Sequence, residues 1–378
     1  MAPDPFQFHT TPAVVFGEGE AGAISDHTRG RLGPRVLLVT DPGIVALGLH
    51  ESAARSLAQS AEVIVFDGVG PDPSVDMLDA AVQSARETGA TGIVGFGGGS
   101  PLDVAKVCAL LAGSGEPLDE AWGVGNARGP RLPLALVPTT AGTGSEVTPV
   151  AILTVEGHEK RGISSPLLLP DLAVLDPELT YGLPPATTAA TGIDAMVHAI
   201  EAYASKNANN NPVSRTLARE ALRLLAANVE RAVAGDRDAR GPMLLGSCLA
   251  GQAFANSPVA AVHALAYPLG GRFKVPHGLS NAVLLTHVLS FNMEEPAAAR
   301  AYGELAPLIG SRGVEGFLAR LDEIAAHCGI EPGMRALGVT EADLDRMADD
   351  AMLQTRLLVN NPRELTRNDA RSIYEAAL

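Results

Sequence analysis

Lysine is scarce in this 378-residue chain. Only Lys106, Lys160, Lys206 and Lys274 stand among 28 basic residues set against 43 acidic ones, for a formal net charge of −15. No cationic stripe able to neutralise phosphates can be assembled from them, which excludes nucleic-acid and anionic-membrane partners. Cysteine is equally thin: Cys108, Cys248 and Cys328 are far apart, form no CxxC pair and sit among apolar neighbours. They read as buried reduced thiols, not disulfides or a zinc knuckle. No uninterrupted apolar run approaches the roughly 18 residues of a membrane span. The segment Met1 to Phe8 carries Asp4 and no basic cluster ahead of an apolar core, so no presequence and a cytoplasmic location are expected. Glycine (40 residues), proline (27) and a hydrophobic content of 46% are plentiful. They describe an α/β chain whose loops need unusual backbone angles, long enough for two domains at roughly 100 to 200 residues each.

Hydrophobic periodicity divides the chain into two textures. Strands are expected at 13–16, 35–43 (ending in a turn), 62–66, 91–96, 132–137, 152–153 and 172–175. Helices are expected between them at 52–59, 74–88 and from Pro101 onward, with a turn at Asp41-Pro42-Gly43. That alternation implies a doubly wound parallel sheet. After Leu183-Pro184-Pro185 the pattern becomes wholly helical, at 188–204, 213–234, 239–255, 259–269, 278–290, 297–309, 314–328, 341–353 and 367–377, with breaks such as Gly329 and Pro332. The expected fold is therefore α/β plus all-α. A parallel-sheet α/β domain spans 1–184 and a helical domain spans 185–378, with the double proline at their boundary.

Chemistry concentrates in a few stretches. In Gly192 to Tyr203, Asp194 and His198 lie four residues apart on one helical face, a spacing that lets a carboxylate and an imidazole grip one divalent cation. His263 and His277 follow in similarly small-residue surroundings. Gly97-Gly98-Gly99-Ser100-Pro101-Leu102-Asp103 lies at the end of an expected strand: Ser100 fits an N-cap, Pro101 the first helical position, and Asp103 complements the helix dipole. Such a turn admits a diphosphate to the backbone, although GxGxxG is absent and a plain tight turn has the same pattern. The hydroxyl-rich loop from Pro138 to Val147 could line a ribose and nicotinamide, or be an ordinary turn. Asp41 suits an adenine-ribose 2′-hydroxyl and favours NAD over NADP, or simply forms the turn before Pro42-Gly43.

Together, Gly97 to Lys106, Pro138 to Glu146, Asp194 to Tyr203 and His263 to Gly278 resemble the signatures of iron-containing (group III) alcohol dehydrogenases, along nearly the whole chain. The resemblance implies metal ligands Asp194, His198, His263 and His277. It implies dinucleotide contacts from Gly97, Gly98, Gly99, Ser100, Asp103, Thr139, Thr140 and Thr143, with Asp41 discriminating against a phosphorylated cofactor. Three imidazoles and one carboxylate suit a Lewis-acidic Fe2+, with Zn2+ as the alternative because ligand set alone does not choose. The same resemblance implies that 1–184 is a Rossmann-like, dinucleotide-binding domain and 185–378 a helical metal-binding domain with the active site in the cleft between them, and that hydride passes between NAD(H) and a small primary alcohol or aldehyde.

Tyr267 falls one turn after His263, where many members of that family carry a second histidine, and is the candidate proton relay. A phenol with an ordinary pKa near 10 is a poorer shuttle at neutral pH than an imidazole near 6.5. Tyrosine there also resembles the hydroxyacid-oxoacid transhydrogenase branch. By resemblance Val150 and Phe254 line an apolar substrate pocket, so diols are not expected to be preferred. His9, His27, His50, His158 and His327 match no motif and read as surface or loop residues, and His287 as a structural neighbour. Lys160, after Glu159, reads as a solvated loop lysine. Maleylacetate-type reductases and, more distantly, dehydroquinate-synthase-like lyases are the alternatives. The ligand quartet argues against the first and the scarcity of lysine against the second. A homodimer or larger homo-oligomer is the expected assembly.

Overall fold

The apolar runs at 35–39, 92–97 and 134–138 become the middle of a six-stranded parallel sheet in the computed structural model, which describes residues 4–155, 160–331 and 333–378. The strands are β1 (Val14–Phe16), β2 (Arg35–Val39), β3 (Glu62–Phe66), β4 (Gly92–Gly97), β5 (Gly123–Val124), β6 (Leu134–Pro138), β7 (Val150–Thr154), β8 (Lys160–Ser164) and β9 (Leu172–Leu175). The main sheet runs β1-β9-β6-β4-β2-β3, and β5-β8-β7 form a small second sheet. Alternation along β2 feeds two cores: Leu37 and Val39 pack with Leu78, Leu102 and Leu136, while Val36 and Leu38 pack with Ile24, Leu57 and Phe96. Burial on both faces is why these strands are continuous hydrophobic runs.

Connecting helices are α1 (Ile24–Thr28), α2 (Pro42–Ala46), α3 (Glu51–Leu57), α4 (Val75–Glu87), α5 (Gly99–Ser114) and α6 (Leu118–Ala121). Parallel pairing of β2, β4 and β6 brings Val39 opposite Gly95 and Gly97 opposite Pro138. The loops bearing Asp41, Gly97–Gly99 and Thr139–Thr143 thus leave the carboxyl ends of three neighbouring strands.

Several expectations are corrected here. Helix α5 begins at Gly99 with Gly98 as N-cap and no side-chain cap, so Ser100 is not the cap and Pro101 is not the first helical residue. Asp103 consequently lies beyond the first turn, which holds no acidic residue, and does not face the exposed amides. Asp41-Pro42-Gly43 is no simple turn: the Asp41 carboxylate accepts from Ile44 N–H at 2.9 Å and caps α2. Lys160 opens strand β8 and pairs with Asp72 at 2.5 Å. His27 belongs to α1 and lies 2.5 Å from Glu20, while His50 is partly buried at the start of α3. His158, Glu159 and the break at Pro332 lie outside the described residues.

Chain contacts define two units, one of His9–Gly182 and one of Leu183–Leu378 with the N-terminal residues up to Phe8. The second contains α7 (Pro185–Ala204), α8 (Pro212–Val233), α9 (Arg240–Asn256), α10 (Ala261–Phe273), α11 (His277–Asn292), α12 (Pro296–Leu305), α13 (Gly313–His327), α14 (Leu344–Met352), α15 (Thr355–Leu358) and α16 (Arg367–Ala376). Helix α7 packs against α8, α9 and α11 and is buried almost continuously from Gly192 to Tyr203. Asn211 caps α8 by accepting from Val213 N–H and Ser214 N–H, each at 3.0 Å. None of the three cysteines forms a disulfide, and all three are buried. No helix among the described residues is long and apolar enough to cross a membrane.

Candidate functional site

Small side chains set the depth at which the polar residues of α7 sit. Ala195, Ala199 and Ala202 let neighbouring helices close in, and Asp194 and His198 are left only 2% and 5% exposed. At Gly278 an added Cβ would lie 2.4 Å from the Ala190 carbonyl oxygen and 3.3 Å from Asp194 Cβ, so glycine permits the start of α11 to approach α7. That approach carries His277, the first residue of α11, to the carboxylate.

Asp194 Oδ1 lies 3.8 Å from His277 Nε2 and 3.9 Å from His263 Nε2. Ligand atoms of these three residues all lie within 4.8 Å of one another. His198 stacks with His263 at a centroid separation of 4.8 Å and with Phe254 at 4.4 Å. Tyr267 tilts toward His277, ring centroids 6.4 Å apart. Asp194, His263 and His277 therefore form one cluster on the helical unit, while His198 lies outside that group and joins it through ring stacking on His263, with Phe254 and Tyr267 in ring contact at its edges.

Burial by itself would raise the Asp194 pKa. The surrounding His198, His277 and His263, with the Asn281 amide donating at 2.6 Å, outweigh it and hold the carboxyl below its ordinary value. His263 is pushed down by burial and up by a Glu201 carboxylate oxygen 2.7 Å from Nδ1 and by Asp194, with a net rise.

Buried polar atoms are nearly always hydrogen-bonded, yet His263 Nε2 is buried with no hydrogen-bond partner among the described residues. An orphaned imidazole nitrogen facing a carboxylate at non-bonding distance is what a divalent ion with nitrogen and oxygen ligands requires, and the residues present fit one. Two contributors escaped the sequence reading: Glu201 and Asn281. Each had a signal in its spacing, Glu201 seven residues after Asp194 on the same helical face and Asn281 one turn after His277.

On the sheet unit, β4 ends at Gly97 with φ of +143°, where an added Cβ would meet Pro101 Cγ at 2.8 Å and Asp41 Oδ2 at 3.3 Å. Only glycine takes that angle readily. Thr140 and Thr143 face Gly98 and Gly99, at 3.7 Å and 2.9 Å from their ideal Cβ positions. Thr139 is buried, its N–H donating to Gly97 O at 2.9 Å, and Ser100 is half-buried in the first turn of α5. Asp41, Gly97, Gly98, Gly99, Thr140 and Thr143 are thus neighbours around a helix N-terminus that no side chain caps, which suits a diphosphate.

Behind them Asp103 is already engaged. Its Oδ1 accepts from Ser145 Oγ at 2.6 Å and its Oδ2 from Ile152 N–H at 2.9 Å. The fully buried Lys106 ammonium reaches Asp103 Oδ1 (3.3 Å), Ser145 Oγ (2.7 Å), Thr148 Oγ1 (3.1 Å) and the carbonyl of half-buried Val150 (2.8 Å). Burial lowers the Lys106 pKa against the pull of Asp103 and Glu146, and pushes Glu146 up to about 7.

A doubly wound sheet with an uncapped glycine-rich helix entry, and a helical unit that clusters Asp194 with His263 and His277 and stacks His198 on His263, define a metal-dependent nicotinamide oxidoreductase. Family models match accordingly: "iron-containing alcohol dehydrogenase" over residues 11–177 and "Fe-containing alcohol dehydrogenase family, C-terminal" over 188–378. The chain is 41% identical over 364 residues to long-chain-alcohol dehydrogenase 1 of Geobacillus thermodenitrificans, covering 92% of this chain and 90% of that one. Among solved structures it is similar to a 1,3-propanediol oxidoreductase, with a TM-score of 0.95, 35% identity and 99% and 100% of the two chains covered. It is also similar to sulfoacetaldehyde reductase from Bifidobacterium kashiwanohense in complex with NAD+, with a TM-score of 0.90, 29% identity and 99% and 98% coverage. The chain belongs to the iron-containing alcohol dehydrogenase family. It is an NAD-dependent oxidoreductase acting on alcohols or aldehydes.

Proposed function

We propose that this enzyme interconverts small, largely apolar primary alcohols and their aldehydes with NAD(H), with a divalent iron held by Asp194, His198, His263 and His277. The observation that carries the ligand assignment is the buried, partnerless Nε2 of His263 facing Asp194. When bound, the ion supplies Lewis acidity, lowering the pKa of an alcohol and polarising a carbonyl, while NAD exchanges the hydride. With one carboxylate and three neutral imidazoles, the chain leaves the site net positive. The same donor set would accept zinc.

Gly97, Gly98, Gly99 and Ser100 offer the α5 N-terminus to the diphosphate, and Thr139, Thr140 and Thr143 line the remainder of the dinucleotide. Asp41 takes the adenine-ribose 2′-hydroxyl. Asp103 serves by tying the Ser145 loop and β7 to α5 beneath the cofactor. Phe254, stacked on His198 in the helical unit, and Val150, in the sheet unit, are the apolar side chains we assign to substrate, and they favour a mono-alcohol over a diol. Tyr267 is the proton relay. We place the enzyme in the cytoplasm, in keeping with three reduced buried thiols, as a homodimer or larger homo-oligomer.

The test is purification without chelator, quantification of bound iron and zinc, and NADH- and NADPH-dependent reduction of an aldehyde panel before and after metal stripping. Activity unchanged in fully demetallated protein overturns the reading. A higher kcat/KM for 1,2-propanediol than for butanol overturns the substrate preference.

A further inference from the structure

Glu201 lies on α7 one turn beyond His198, buried to 5% exposure, and has three hydrogen-bond partners. Its Oε1 accepts from Val262 N–H at 2.7 Å and its Oε2 from Ala260 N–H at 3.0 Å, while His263 Nδ1 lies 2.7 Å from the same Oε2. Two of those partners are backbone amides, which can only donate. They fix the carboxylate at the entry to α10 without reference to the imidazole. The third contact then has one solution, because a carboxylate can only accept: the proton must sit on Nδ1. In a neutral imidazole that leaves the lone pair on Nε2, the buried atom that finds no hydrogen-bond partner among the described residues and faces Asp194.

We propose that Glu201 is a positioning residue that fixes the tautomer and ring orientation of His263, so that Nε2 presents its lone pair to the metal. Through the same oxygens it pins the first turn of α10 to α7. The inference rests on the metal reading given above, and supplies what that reading lacks, a reason for His263 to offer the correct nitrogen. A glutamine of equal volume cannot replace it. Three donors face two oxygens, and an amide has one oxygen. In either orientation its NH2 meets a backbone N–H, and in one it also faces Nδ1 and drives the proton onto Nε2.

Two measurements test this. The first is 15N NMR of the His263 ring in metal-free wild-type protein, which should show a single tautomer protonated at Nδ1. The second is Co2+ titration of Glu201→Gln with folding followed by circular dichroism. Affinity should fall about 10–100-fold, the usual effect of losing an outer partner of a metal-ligating histidine, and the His263 ring of the metal-free variant should show mixed tautomers.

A purely structural role for Glu201 would lower melting temperature and leave tautomer and Co2+ affinity in place, and that result overturns the proposal. So does a wild-type His263 protonated at Nε2, which remains informative even if E201Q does not fold. Should wild-type protein bind no Co2+ while His263 carries its proton on Nδ1, the metal reading fails and the proposal with it, a result distinguishable from failure of the tautomer argument alone.

Discussion

Glu146 is a buried carboxyl, 1% exposed, whose Oε1 has no hydrogen-bond partner among the described residues. Burial pushes its pKa up to about 7 from an ordinary 4.5, against the opposing effects of a backbone hydrogen bond and Lys106. Between those two values the folded chain holds a proton that the unfolded chain releases, so stability falls as pH rises. The contribution is fully present below the unfolded pKa and is lost through about pH 7. A difference of 2.5 units (7 minus 4.5) corresponds to about 3 kcal/mol at pH 8. Glu146→Gln removes the ionisation while preserving shape. Part of the gain is returned because Lys106 loses a nearby carboxylate, yet its Asp103, Ser145, Thr148 and Val150 contacts remain. The expected net gain is therefore about 2–3 kcal/mol at pH 8 and close to zero near pH 4.5. Trp122 is the only tryptophan and lies in the same unit at 8% exposure, so its fluorescence during urea unfolding reports that unit. Midpoints of wild type and variant should converge from pH 8 to pH 5. A stability difference that does not change with pH refutes the reasoning. Destabilisation of E146Q at every pH does so too, by making Glu146 the ionised counter-ion of Lys106.

Lys106→Met, read by the same fluorescence, should cost about 3–5 kcal/mol, because removing one partner from a buried charged network leaves the others unsatisfied; a loss below about 1 kcal/mol would contradict an ammonium carrying those four contacts. Asp41→Ser keeps a capping oxygen for α2 while deleting the charge. At about 1–2 kcal/mol of repulsion removed from a 2′-phosphate, kcat/KM with NADPH should rise about 5–30-fold with little change for NADH, and unchanged cofactor preference would count against Asp41 as the discriminator. Gly278→Ala forces a Cβ to 2.4 Å from the Ala190 carbonyl oxygen. It should cost about 1–3 kcal/mol and lower bound iron per chain, and full metal occupancy would show that His277 does not depend on this close approach.

How much of this was legible depended on whether a segment's structure is decided locally. The central strands were readable because burial on both faces demands unbroken apolar runs, as in Val36 to Val39 and Leu134 to Val137. The long helices after Pro185 were readable from their period. Strand β8 was not, since Lys160-Arg161-Gly162 has no strand pattern and becomes a strand through antiparallel pairing to β7, with β5 on the other side of β8. Two-residue β5 and four-residue α15 are too short to leave a periodic trace. The start of α5 was misplaced because Ser100-Pro101 is a strong local entry signal, overridden by glycines that can turn the chain sooner. Asp194 and His198 announced themselves by four-residue spacing and did come together with His263 and His277. Glu201 did not, because a glutamate in an alanine-rich helix is ordinarily solvated, and only packing of α10 over it makes it an internal carboxylate.

The glycine-rich entry of the sheet unit and the polar cluster of the helical unit are built from opposite materials, and this explains their unequal visibility. Around Gly97–Gly99 the chain offers backbone amides at a helix entry, a resource that depends on φ and on the absence of side chains more than on which polar residue stands nearby. Ser100 can therefore sit in the first turn without capping it, and the surrounding polar residues Asp103, Ser145 and Lys106 are occupied in tying loop to helix instead of reaching outward. Around α7 the resource is side-chain identity: an anionic oxygen and imidazole nitrogens that nothing else can supply, with Asp194, His198 and His263 buried at a cost the neighbours must meet and His277 exposed. Asn281 meets part of it at Asp194 and Glu201 part of it at His263. What is left over, the Nε2 of His263, finds no hydrogen-bond partner among the described residues and is the atom that the proposed cation would satisfy. A glycine turn can be imitated by many sequences. A carboxylate and imidazole cluster that buries one nitrogen without a hydrogen-bond partner among the described residues cannot, so the helical unit is where sequence spacing and structure constrain each other most tightly.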